Sequence, residues 1–120
     1  MNYIYIAGPY SGGDVAVNVR NAIGAANRLV DAGYKPFVPH LCHFWHLLYP
    51  RPYEDWVALD MAWLPKCEAI VRLDGDSPGA DGEVQWALTN NIPVYYGVDA
   101  FFQANGKALH PTRELAEEGP

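Results

Sequence analysis

The chain has 120 residues, 50% of them hydrophobic and 18% charged, which excludes a disordered chain and leaves room for one domain with a buried core. Eight Lys and Arg against fourteen Asp and Glu give a formal charge of −6. That balance argues against broad electrostatic binding to a nucleic acid polymer or an anionic membrane face, but not against a small phosphorylated ligand held at one local site.

Tyr3–Ala7 is a β-rich run closed by the turn signal Gly8-Pro9, and it reads as a strand. It is too short for a leader peptide and has no basic flank. Asp14, after Gly12-Gly13, is the predicted N-cap of a first helix. Val15, Val19, Ala22, Ile23, Ala26, Leu29 and Val30 recur there at helical spacing, and Gly33 reads as the C′ residue. Pro36-Phe37-Val38 makes a brief second strand. Residues 40–52, aromatic, His-containing and bounded by Pro, read as a loop with one helical turn. Tyr53 opens a second helix that runs to Leu64, where Pro65 ends it. Residues 69–73 form a third strand, apolar but for Arg72, and 74–82 an Asp- and Gly-rich loop. A third helix over 83–90, a fourth strand over 92–96 and a short helix over 99–103 complete the order, and the polar tail after Gly106 is expected to fray or dock loosely.

This alternation predicts one α/β domain over residues 1–120, a small doubly wound, Rossmann-like parallel sheet with helices on both faces. Ligands of such sheets sit beyond the carboxyl ends of the strands, which selects the loops at 8–14, 40–52 and 74–82 and the segment after Tyr96. No apolar run approaches the ~20 residues of a membrane span. Cys42 and Cys67 show no repeated spacing and read as reduced core thiols, which places the protein in the cytoplasm.

The informative residues fall in those loops. Gly8-Pro9-Tyr10-Ser11-Gly12-Gly13 is neither the dinucleotide fingerprint nor a Walker loop. Its small residues let backbone N–H groups approach a phosphate or sugar, or simply make a tight turn. Glu83 is expected in the first turn of the third helix, where the macrodipole favours a carboxylate suited to nucleophilic attack; a plain helix-favouring Glu is the alternative. Asp60 is flanked by Leu59, Met61 and Ala62, and an acid facing the sheet edge needs a partner or a role, whereas a solvated Asp60 needs neither. Asp55 points elsewhere, roughly 140° round the helical wheel. Two carboxylates converging on one pocket would support glycosyl chemistry. His40, Cys42, His43 and His46 are zinc-binding residue types without a zinc spacing, so a pocket wall, an aromatic lid or a subunit contact is favoured. Trp45, Tyr49, Tyr53 and Trp56 suit a core or interface, and a nucleobase would also stack on them.

Together these residues resemble the nucleoside 2-deoxyribosyltransferase-like superfamily. It includes the 2′-deoxyribosyltransferases that exchange bases and the 2′-deoxynucleoside 5′-monophosphate N-hydrolases that release them. Three blocks carry the resemblance in order: Ile4-Tyr5-Ile6-Ala7-Gly8-Pro9 with Gly12-Gly13, then Asp60-Met61-Ala62-Trp63-Leu64 followed by Cys67-Glu68-Ala69-Ile70-Val71, then Ser77-x-Gly79-x-x-x-Glu83. The resemblance implies that Glu83 is the nucleophile at the anomeric carbon. It puts Asp60 beside the sugar and the departing base, and Tyr5 in a hydrogen bond near the nucleophile. Gly8, Pro9, Tyr10, Ser11, Gly12, Gly13, Ser77 and Gly79 would line the sugar and phosphate side. A covalent ribosyl-enzyme ester, resolved by water or by a second base, is the implied intermediate.

Ser77 stands where the base-exchanging enzymes commonly have an acidic residue, which favours a monophosphate hydrolase, although Asp74, Asp76 and Asp81 put negative charge in the same loop. The expected ligand is a small nucleoside or nucleotide, with no cofactor, no metal, no nucleic acid polymer and no membrane. The expected functional unit is a homodimer or higher homo-oligomer. The hydrolases also use a Ser from a neighbouring subunit's C-terminal region, and Thr112 is the one hydroxyl residue of that type after Tyr96 here. A nucleotide-binding module without turnover is the competing reading.

Overall fold

A computed structural model describes residues 2–107, so the expectations for the tail, Thr112 included, lie outside the described residues. Four strands, β1 (Tyr3–Ala7), β2 (Lys35–Phe37), β3 (Ala69–Arg72) and β4 (Val94–Tyr96), form one all-parallel sheet in the order β2-β1-β3-β4. Five α-helices join or follow them: α1 (Val15–Asp31), α2 (Cys42–Leu48), α3 (Tyr53–Trp63), α4 (Pro78–Thr89) and α5 (Val98–Asn105). The predicted doubly wound α/β fold is the observed one. The chain goes from β1 outward to β2, then crosses back to β3 and on to β4. The switch point, where such sheets open a crevice, therefore lies between the carboxyl ends of β1 and β3. Among the described residues no helix is long and apolar enough to cross a membrane.

The two-residue period of β1 divides the core. Ile4 and Ile6 pack with Ala22, Leu29 and Phe101 on the α1/α5 face. Tyr5 and Ala7 pack with Leu64, Ile70, Ala80 and Ala87 on the opposite face, under α4. Tyr5 pairs across the sheet with Phe37 on one side and Ile70 on the other, which fixes its height in the sheet.

Helix α1 starts where Asp14 accepts a hydrogen bond from Val17 N and stops at Ala32, followed by Gly33 at φ +94°, as predicted. Its buried face is Val19, Ala22, Ala25, Ala26 and Leu29, while Ile23 and Val30, assigned to that face from sequence, are exposed. The run of alanines lets the helix lie close to the sheet and turns the bulkier residues outward.

Two further boundaries differ from expectation. Residues 40–52 are not a loop with one turn: a 3-10 turn over Pro39–Leu41 leads into the two-turn helix α2, since no Gly or Pro interrupts the chain before Pro50. Helix α4 begins at Pro78 and not at 83. Ser77 caps it, its side-chain oxygen accepting from Ala80 N at 3.1 Å, and Pro78 occupies the first helical position, where its missing N–H costs nothing.

Candidate active site

The early start of α4 moves Glu83 inward, to the sixth residue of the helix and thus its second turn, where the macrodipole has little hold. From there its Oε2 accepts the phenolic hydrogen of Tyr5, whose side chain is fully buried beneath it. Asp60, near the end of α3, is half-buried on the same cleft. Burial pushes the Glu83 carboxyl up to about 7; the Tyr5 hydrogen bond opposes this, the negative charge of Asp60 adds to it and the charge of Arg72 opposes it. Burial also lifts Asp60 to about 6. The same burial, then the two carboxylates, drives the Tyr5 hydroxyl upward, so it remains a donor. Two neighbouring carboxyl groups raised in this way titrate as a pair and hold about one proton between them near neutrality.

The cleft has a volume of about 860 Å3, within the range of small-molecule sites. One wall is the loop after β1, with Gly8, Tyr10, Ser11 and Gly12; the facing wall is the loop after β3 and the start of α4, with Asp76, Ser77 and Gly79. Asp60 and Glu83 also line it, so the structure gathers most of the sequence-predicted residues in one place. Tyr5, buried beneath Glu83, and Pro9 and Gly13 are exceptions. Pro9 lines a separate, smaller hollow with Asn18, Asn21, Leu73 and Asp74, and Gly13 lies on neither wall. The loops that form the two main walls are in close contact, because a Cβ on Gly75, at φ +112°, would come within 2.8 Å of Pro9 Cγ. Asp81 does not face the cleft; its carboxylate pairs with Arg72 at 3.0 Å.

The third wall is α2 with the start of α3. His40 Nε2 donates to Pro9 O at 2.9 Å, and burial pushes its imidazole down against the opposing pull of the backbone at Pro9 and Gly8. His43 Nδ1 lies 2.7 Å from Tyr10 Oη, which joins α2 to the loop after β1. His46 Nδ1 accepts from Trp56 Nε1 at 3.0 Å and from Arg51 N at 3.2 Å. The histidines are thus wall residues held by polymer contacts, and among the described residues no three His, Cys, Asp or Glu side chains are grouped to hold a metal ion. Outside the cleft, α2 exposes Phe44, Trp45, Leu47 and Leu48. Arg72 had no assigned role in the sequence; a lone Arg in an otherwise apolar central strand was the signal for it.

Residues 2–97 match the family described as a domain of unknown function (DUF7768), and the chain belongs to that family. No curated protein matches it.

Proposed function

We propose that this protein is an N-glycosidase that cleaves the base–sugar bond of a (2′-deoxy)nucleoside 5′-monophosphate, as its resemblance to the nucleoside 2-deoxyribosyltransferase-like superfamily implies. The observation that carries the reading is the Tyr5–Glu83 hydrogen bond set beside Asp60 in the cleft at the switch point. A module that only binds nucleotides has no use for two half-buried acids with raised proton affinity, whereas double-displacement glycosyl chemistry needs one carboxylate and one acid together.

In this reading the Glu83 carboxylate attacks C1′ and the C1′–N bond breaks. Asp60 gives its proton to the departing base. Water, deprotonated by Asp60, then attacks C1′ of the ester, releasing the sugar phosphate with net retention and restoring Glu83. A second base in place of the water would give base exchange. Tyr5 and Arg72 favour the ionised form at Glu83, against its burial and the charge of Asp60. With Glu83 at about 7 and Asp60 at about 6, the free protein holds its proton more tightly on Glu83, so the reaction draws on the form in which that proton has moved to Asp60. The Ser77 oxygen is occupied as an acceptor by Ala80 N, so its hydrogen is free to donate to a phosphate oxygen at the start of α4. The exposed apolar side chains of α2 support a homodimer as the working unit. The free thiols Cys42 and Cys67 support a reducing compartment, the cytoplasm.

The test is incubation with a panel of nucleosides and 5′-monophosphates, followed by chromatography for free base. Release from at least one monophosphate, lost in Glu83→Ala, is the expected result; no base from any member of the panel would overturn the reading.

A further inference from the structure

Arg72 closes β3, a strand whose other residues Ala69, Ile70 and Val71 are fully buried, and is itself only 7% exposed. A guanidinium at that depth is tolerated only when its donors are satisfied and its charge is matched. Nη1 donates to Leu73 O, and Nη2 donates to Gly75 O and to Asp81 Oδ1, both at 3.0 Å. One side chain therefore ties the end of β3 to the following loop and to α4. Ser77 lies in that loop, and Glu83 sits two residues beyond Asp81 on α4. The loop conformation in turn abuts Pro9 at Gly75, so the hold of Arg72 extends to the opposite wall of the cleft.

We propose that Arg72 is the positioning residue of this site: its bonds to Leu73, Gly75 and Asp81 fix the loop after β3 and the start of α4, and with them the place and charge environment of the Glu83 carboxyl. The proposal rests on reading Glu83 as the reactive group. The groups acting on that carboxyl come from three elements: Tyr5 of β1 donates to it, Asp60 of α3 repels its charge and Arg72 of β3 attracts it. Asp81, its side chain 70% exposed, takes up part of the Arg72 charge and so limits that attraction. The pair Arg72–Asp81 therefore adjusts how readily Glu83 ionises, on top of burial, the Tyr5 bond and the charge of Asp60, without touching a substrate.

The test is a carboxyl-carbon NMR titration of Glu83 in the full chain, which needs no turnover, with amide exchange of residues 73–77 as the second readout. In Arg72→Gln the Glu83 midpoint moves up by about one pH unit and the loop amides exchange faster. In Arg72→Lys the charge stays and the fork is lost, so the midpoint stays near that of the wild type while the loop amides still exchange faster. In Asp81→Asn, an exposed change that spares the fold, the midpoint moves down. A Glu83 midpoint unchanged in Arg72→Gln overturns the proposal; should that variant not fold, an unchanged midpoint in Asp81→Asn does so. A wild-type protein that releases no base would sink the N-glycosidase reading alone, and the titration would still decide the role of Arg72.

Discussion

Tyr5, in the middle of β1, donates its hydroxyl hydrogen to Glu83 on α4, 78 residues away in the chain. The inward pleat of β1 aims the phenol at α4, and the register with β3 sets how far along the helix it reaches. A hydrogen bond to a charged group contributes about 1.5–3 kcal/mol, so Tyr5→Phe is predicted to lower kcat roughly 10- to 100-fold. Steady-state kinetics check this: unchanged turnover in Tyr5→Phe would mean that the bond does not support the reaction.

Asp60 is predicted to act as the bond breaks and less in binding. Asp60→Asn keeps the size of the side chain and removes the titrating proton, so kcat falls by about 100-fold while KM changes little. The opposite pattern, a raised KM with normal kcat, would make Asp60 a binding residue.

The raised carboxyls have a consequence for stability whose sign is fixed by linkage. Glu83 rises from 4.5 to about 7 and Asp60 from 3.8 to about 6, so the folded state holds both protons more tightly than the unfolded chain. Their contribution is fully present below the unfolded values and is lost as pH rises through about 6 and about 7. Urea unfolding of the wild type at pH 5 and pH 8 should show the lower stability at pH 8. Glu83→Gln removes one titration, and the pH dependence should shrink by about 2 kcal/mol. An equally steep dependence in the variant would show that Glu83 is not the group responsible.

Helix α2 leaves Leu47 64% and Leu48 76% exposed, with Phe44 and Trp45 about half-exposed beside them. Closed two-fold pairing is the commonest way to cover such a face. Light scattering at micromolar concentration should give at least twice 13.3 kDa, and Leu48→Glu should halve it. A wild-type monomer would leave α2 without the predicted partner.

The parts of this site that are local in sequence were legible there. The strand before Gly8, the Asp14 cap and the alternation of elements led to a parallel sheet, and a parallel sheet points to the loops after β1 and β3. Of the three residues singled out there, Asp60 and Glu83 line one cleft, and Tyr5 lies buried beneath it in a hydrogen bond to Glu83. The environment of Glu83 was misjudged because Ser77 and Pro78 were read as loop, although together they make a helix start. One turn of displacement exchanged the stabilising field of a helix end for burial, and reversed the direction in which its proton affinity moves. Helix α2 was missed because short amphipathic runs rich in aromatics carry little periodicity. The function of Arg72 depends on contacts that exist only once the loop has closed over it.

The central claim is that Glu83 forms a bond to the sugar. Acid quenching of the protein during turnover of a 5′-monophosphate, followed by intact-mass and peptide analysis, reads that bond directly. The account predicts a mass gain equal to the sugar phosphate, located on the peptide containing Glu83 and absent from Glu83→Ala. Steady release of free base with no such adduct, or with the adduct on another residue, would contradict it.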